Sequence, residues 1–431
     1  MNPKPRLYCD LSELYAGSLG RGGFYGIARV VAEIALELDG LVDGMGYVVF
    51  SATFQRFICV DLQRQQLLLG RPASFGFNLH RLVFALDQRC SRWLGTLSPA
   101  LQAGCRNVLA WMATPWLSAS LEPLGPGMVF SAARPKFIAR YARALDRHGL
   151  KLASLLHDFF PLLDSYDRPK QAFVDAFARD NRVVLGCSDV VIANSFFTRD
   201  CLLQLQESGQ LPPHRQLAVA QLAHECRLPQ GCESSRASIE PETSAIDQES
   251  PFFLAVGCRP GRKNLQLILE AWLLLHAWAM DAGHPTPLPQ LVLAGAARGS
   301  IRRFLDQPRF AAIRPAIRLV VSPSQAALIG LYQRATATLL PSFSEGWGLP
   351  ASESLWFGTP VVVSDTPVMH EVCGDLGLYV DPDRAEEMAL MVRRLCEHGG
   401  FCDSQRQLIA ASRPSLRRWL ETAQDVCLVM R

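Results

Sequence analysis

Two carboxylates, Glu345 and Glu353, lie eight positions apart in the stretch EGWGLPASE. Gly346 and Gly348 free the backbone between them into a turn. Before it runs a β-branched and apolar stretch, with Thr336, Thr338, Leu339 and Leu340 ending at Pro341; after it Pro350 suits a first helical position and Gly358 a helix stop. This order places both glutamates at the carboxyl end of a strand, where open parallel sheets bind ligands. Carboxylates there can accept paired hydroxyls. The N–H groups of Gly346 to Leu349, Trp347 and Gly348 among them, sit at a helix start, which carries partial positive charge and binds phosphate. The layout suits a nucleotide sugar. It also fits an ordinary acidic helix start beside a surface turn.

A second stretch sharpens the choice. Phe252 to Val256 reads as a buried strand, followed by GCRPGRKN from Gly257 to Asn264 and then a helix bearing Leu265, Ile268, Leu269, Trp272 and Leu273. Asn264 is placed to cap that helix. Arg259, Arg262 and Lys263 therefore crowd the positive end of a helix, an arrangement that an anionic ligand resolves. A diphosphate fits, with arginine as a planar fork and lysine as a point charge. A solvated basic loop is the plainer alternative. Only five of the 43 basic residues are lysines, so arginine by itself carries little signal.

With both stretches in hand, the C-terminal half resembles glycosyltransferase family 4, retaining enzymes of the GT-B fold. The resemblance runs through VGCRPGRKNLQLILEAW, LYQRATATLLPSFSEGWGLPASESLWFGTPVVVSD and GLYVDPD, about 130 residues in family order. It implies an α/β chain of two Rossmann-like domains facing an interdomain cleft. It further implies that Arg262 and Lys263 hold the diphosphate, that Glu353 accepts the ribose hydroxyls, and that Glu345 with Gly346 to Leu349 orients the donor sugar. Where some family members have arginine directly after Gly257, this chain has Cys258, with Arg259 one step on.

Length and composition agree. At 431 residues and 49% hydrophobic, the chain is long enough for two cores. A net charge of +3 gives no case for nucleic-acid binding. The thirteen cysteines include no CxxC pair, and His370 with Cys373 lacks a second pair to complete a zinc site. They read as reduced, mostly buried thiols of a cytoplasmic protein. The N-terminus does not look like a signal peptide, and no segment reaches the roughly 20 apolar residues that span a bilayer.

The boundaries read as an N-terminal domain over 1–228, a Ser- and Glu-rich linker over 229–250, a nucleotide-sugar domain over 251–405, and a C-terminal helix over 406–431. In that last segment Pro414 breaks a helix, and Leu416, Trp419, Leu420 and Ala423 restart one; by resemblance it packs back on the first domain. In the first domain, GGFYGIAR resembles the family's N-terminal glycine loop. Gly26 at its helix start can let backbone approach a phosphate, although simple turn chemistry also explains a glycine there, and Arg29 is a lesser candidate. His157 follows the apolar strand Leu152 to Leu156, beside Asp158, and by resemblance contacts the donor sugar near the reacting carbon; a structural histidine is the alternative. Asn194 and Ser195 either cap a helix or line the acceptor site. QLAHE, Gln221 to Glu225, replaces the proline-and-glycine turn usual in relatives. Residues 53–127 mix arginines with Phe54, Phe57, Trp93 and Trp111 and can meet an anionic lipid-linked acceptor or the membrane, though ordinary amphipathic helices with solvated arginines are the favoured reading.

The implied activity is a metal-independent, retaining transfer of a hexosyl group from a nucleoside-diphosphate sugar, leaning to GDP-mannose, onto a cell-surface glycan or lipid-linked saccharide. No cofactor and no metal is expected, and DPD at Asp381 to Asp383 reads as a loop. A sugar-nucleotide epimerase, a phosphorylase and a non-catalytic partner of a polysaccharide assembly system are the other classes. The phosphorylase needs a cofactor lysine the chain can ill supply.

Overall fold

The computed structural model describes residues 6–16, 26–68, 75–117, 124–145, 149–163, 169–228, 251–281, 288–295 and 298–430. The expected linker over 229–250 lies outside them. The chain divides into two compact units, Met1–Leu162 with Lys170–Leu222 and Trp419–Arg431, and Leu163–Pro169 with Ala223–Arg418. The first therefore hands over at Leu222, six residues before the expected 228. At the other end, position 406 falls inside a helix, Gly399–Ser412, that stays with the second unit, and the return to the first begins at Trp419.

The first unit is built on seven strands: β1 (Arg6–Asp10), β2 (Gly46–Ser51), β3 (Arg56–Cys59), β4 (Gly127–Ser131), β5 (Leu150–Leu156), β6 (Val190–Ala193) and β7 (Leu217–Val219). Their order is β3-β2-β1-β4-β5-β6-β7, and only β3 runs antiparallel to its neighbour. The second carries β8 (Phe252–Val256), β9 (Gln290–Ala294), β10 (Ile317–Val320), β11 (Ala337–Leu340), β12 (Val361–Ser364) and β13 (Gly377–Val380) in the order β10-β9-β8-β11-β12-β13, all parallel. In each sheet the order reverses once, between β1 and β4 and between β8 and β11. Such reversals open a crevice beyond the strand ends, because the following helices diverge to opposite faces.

The sequence forms these sheets because parallel strands are covered on both faces and so read as continuous apolar runs. In β8, Phe253 and Ala255 join Trp272, Leu291, Leu339 and Val362 on one face, while Phe252 and Leu254 join Val292, Leu331 and Tyr332 on the other. Alternate residues of one strand feed two cores. Each fully buried Leu or Phe contributes about 1.5–3 kcal/mol.

Three local expectations change. Leu420 is 41% exposed, while Leu416, Trp419, Ala423 and Val426 are buried, so the apolar stripe of helix Trp419–Val429 runs one step away from it. Asn264 precedes helix Leu265–Asp281 in the left-handed region at φ 51°, and its side-chain amide donates to the Pro382 carbonyl at 2.7 Å, anchoring the loop rather than capping the helix. Of the twelve described cysteines only six are buried, with Cys59 and Cys396 exposed, so "mostly buried" overstated the case; all twelve are free thiols.

Gly358 follows the helix Leu349–Trp356 at φ 77°, the stop expected of it. Gly348, just before the same helix, has φ 95°, and a Cβ there meets Met369 Cε at 2.6 Å. Gly348→Ala should therefore lower stability by about 1–3 kcal/mol in urea denaturation. Gly399→Ala, with open space around the added carbon, should change it by no more than about 0.5 kcal/mol.

Candidate functional site

The two motifs meet at the β8/β11 reversal. The loop Gly257–Asn264 leaves the carboxyl end of β8 and the turn carrying Glu345 leaves that of β11, and the sheet pairs these strands directly. The Phe343 N–H donates to the Arg262 carbonyl at 2.9 Å, and the Arg262 guanidinium donates to the Ser344 carbonyl. Arg262 also lies 3.1 Å from Glu345 Oε2, while Lys263 Nζ bonds Glu345 Oε1. One carboxylate is thus held between two cations drawn from a loop some 80 residues away.

Burial alone would raise the Glu345 carboxyl, but the charges of Lys263 and Arg262 overcome it and hold the group at about 2. A buried carboxylate stays ionised only with such partners. The Lys263 ammonium keeps two further N–H donors without an acceptor among the described residues. Cys258, which stands where arginine was the alternative, is buried and donates its S–H weakly to the Lys263 carbonyl at 3.6 Å. Arg259 is exposed, and its carbonyl accepts from Leu265 N–H.

Glu353 is buried near the start of helix Leu349–Trp356, one turn after Leu349, so Glu345 and Glu353 flank the same helix start. Gly346, Trp347, Gly348 and Leu349 form that entrance. Trp347 is buried, with its indole N–H meeting no acceptor. Gly257 has φ 63°, and its N–H is given to the Ala294 carbonyl at 2.8 Å. Asp381 is engaged in its own turn, accepting from Asp383 N–H, which makes DPD the loop it was read as. Among the described residues, no group of three or more His, Cys, Asp or Glu is placed to hold a metal ion.

In the first unit, Gly26 precedes helix Ile27–Leu41 at φ 56°, and its carbonyl accepts the Arg29 and Val30 N–H groups. Arg29 is buried. His157, buried at the end of β5, bonds the Ala132 carbonyl through Nε2 at 2.7 Å. A carbonyl only accepts, so Nε2 carries the proton and Nδ1 presents a lone pair. Burial lowers its pKa below 6.5, keeping the ring neutral. Ser195 caps helix Phe196–Glu207 by accepting from Thr198 N–H, while the buried Asn194 Oδ1 meets no donor.

Two features escaped the sequence reading. The QLAHE departure supplies His224, whose Nδ1 accepts Arg417 N–H at 3.2 Å and whose Nε2 donates to the Val372 carbonyl at 2.9 Å; its ring stands edge-on to Trp347, with centroids 5.9 Å apart. A histidine with these partners braces the glycine turn in place of the expected proline and glycine. Ser364 and Thr366, at the end of β12, carry buried hydroxyls without partners among the described residues. The signal for them was the hydroxyl residues ending VVVSDT at a strand's carboxyl edge.

Comparison with known proteins gives this geometry a context. Residues 237–414 match the family described as glycosyl transferases group 1, so the chain carries a domain of that kind. O-antigen chain mannosyltransferase B of Escherichia coli is 32% identical over 175 residues, 37% of this chain and 39% of that protein. O-antigen chain mannosyltransferase RfbU of Salmonella typhimurium is 51% identical over 53 residues, 12% of this chain and 15% of that one. The matched stretches thus span less than half of either relative. A sucrose-phosphate synthase from Thermosynechococcus elongatus superposes over 98% of both chains with a TM-score of 0.62 at 13% identity, a likeness of fold: two parallel-sheet α/β units of the GT-B type.

Two pH effects follow. Glu345 sits near 2 folded against 4.5 in its ordinary state, so its contribution is complete above 4.5 and is lost as pH falls toward 2. The stability gap between wild type and Glu345→Gln should narrow over that interval in urea titrations. His157 has a lowered folded pKa, so the unfolded chain binds the extra proton first; stability falls as pH drops below 6.5, and His157→Asn should remove that part of the slope.

Proposed function

We propose that the protein is a retaining glycosyltransferase that moves a hexosyl group, with mannosyl favoured, from a nucleoside-diphosphate sugar to a glycan or lipid-linked saccharide. The observation that carries this is the junction at the β8/β11 reversal, where Arg262, Lys263 and Glu345 converge beside a helix start. Two cations and a helix N-terminus provide for a diphosphate, and two buried carboxylates provide for hydroxyls.

In this reading the nucleotide lies on the second unit. As the bond from C1 to the phosphate oxygen lengthens, negative charge grows on the leaving diphosphate. Lys263, Arg262 and the N–H groups of the turn Gly346–Leu349 stabilise it there. These cations do the work a divalent ion does in other transferases, so the transfer proceeds without a metal. Glu353 takes the ribose hydroxyls, and Glu345, held ionised, takes hydroxyls of the sugar. The acceptor is received by the first unit, and the part given to His157 in meeting the donor sugar rests on the resemblance alone. Retention of configuration rests on the resemblance of the EGWGLPASE segment. The mannosyl preference and a polysaccharide acceptor are supported by the names of the two O-antigen chain mannosyltransferase relatives. No helix among the described residues is long and apolar enough to cross a membrane.

Calorimetric titration with GDP, UDP and their sugar conjugates tests the proposal. One nucleotide should bind at micromolar Kd with and without EDTA, and Lys263→Ala or Glu353→Ala should each weaken it at least about tenfold, or 1.4 kcal/mol. Binding that disappears with EDTA, or persists unchanged in both variants, rejects the site.

A further inference from the structure

We propose that Arg134, Lys136 and Arg140 form an oxyanion site on the first unit, receiving a phosphate or diphosphate group carried by the acceptor. As an oxyanion site it stands on its own geometry; its assignment to the acceptor rests on the transferase reading.

The residues lie where the topology opens a crevice. β4 ends at Ser131, on one side of the β1/β4 reversal, and Arg134 and Lys136 follow within five residues. His157 leaves the neighbouring strand β5 at the same edge, bonded to the Ala132 carbonyl. All three cations surround one buried ring: Arg134, Lys136 and Arg140 stand 5.4, 4.9 and 5.3 Å from the Phe137 centroid. A single ring has two faces of negative potential, so three cations on it are gathered at the expense of their mutual repulsion.

Neighbouring acids cancel this charge only in part. Arg134 is tied to the buried Glu13 carboxylate through Nε at 3.1 Å and Nη2 at 2.7 Å. Asp87, which faces Arg140, already accepts from the Ser51 hydroxyl and from the Ala52 and Thr53 N–H groups. Asp180, on the packed helix Gln171–Cys187, faces Lys136 and Arg140 but pairs with Arg179 at 3.7 Å. Arg92 adds a further cation near Arg140. Five basic groups thus confront three engaged acids. The side chains of Lys136 and Arg140 make no hydrogen bond and no ion pair among the described residues; burial lowers the pKa of each, and for Lys136 the adjacent Arg134 adds to it.

Arginine forks and a lysine point charge at one edge are the donor set that phosphate oxygens take. Lysine is also scarce here, with five in 431 residues; one is Lys263 at the nucleotide site and another is Lys136.

The test uses the full chain and the variant Lys136→Gln/Arg140→Gln, which spares the buried Glu13 and its partner. Inorganic pyrophosphate is titrated calorimetrically into protein saturated with GDP. Wild type should still bind pyrophosphate, and the variant should bind it at least about tenfold more weakly with GDP affinity unchanged. Pyrophosphate binding that vanishes under GDP, or is equally tight in the variant, overturns the proposal. UDP replaces GDP if it is the nucleotide that binds; should neither bind, the nucleotide reading falls separately, and the titration is read in Lys263→Ala, where loss of all pyrophosphate binding overturns the second site. Sedimentation with phosphatidylcholine vesicles, with and without phosphatidylglycerol, then separates the sources. Capture by anionic vesicles that the variant loses assigns the phosphate to a lipid headgroup, and pyrophosphate binding without capture assigns it to a phosphate borne by the soluble acceptor.

Discussion

The second unit is organised around one electrostatic constraint: a carboxylate taken out of water must keep cations beside it. Glu345 meets it by drawing Arg262 and Lys263 across the β8/β11 reversal. The cations have a reciprocal need, since they stand at the start of helix Leu265–Asp281, whose dipole repels them. Each partner relieves the other. The backbone bond from Phe343 to Arg262 fixes the same crossing without charge, so the geometry of the junction does not depend on ion pairing alone.

The first unit answers the same topological situation differently. At the β1/β4 reversal, Asp10 is fully buried and accepts from Ser12 N–H, the Ser131 hydroxyl and the Tyr141 hydroxyl at 2.7 to 2.9 Å. Burial raises its carboxyl despite these bonds. With neutral donors only, Asp10 acts as a hub joining β1, β4 and Tyr141, and the cations of that edge are left facing outward.

Much of this was legible in the chain because parallel strands announce themselves: FFLAV and LVLA are apolar at every position since both faces are covered. The turn EGWGLP was legible for a local reason, two glycines ahead of a proline at a helix start. What escaped depended on partners far away. Asn264 looks like a helix cap until Pro382, 118 positions on, takes its amide. His224 shows its role only through Val372 and Arg417, 148 and 193 positions distant. Leu420 was misplaced because a run of two adjacent apolar residues leaves the phase of a helical stripe undecided.

The first unit is discontinuous in sequence. Its last piece, helix Trp419–Val429, buries Trp419, Thr422, Ala423, Val426 and Cys427, packs on helix Ile27–Leu41, and ties back through the Thr422 hydroxyl to the Gln221 carbonyl. A ribosome making this chain therefore releases a second unit whose strands are all present before the first can close its core. The N-terminal sheet waits, with helix Ile27–Leu41 uncovered, until helix Trp419–Val429 has been made. Order of synthesis and order of completion are reversed, and the opening half of the chain is the one most in need of protection while it is being made.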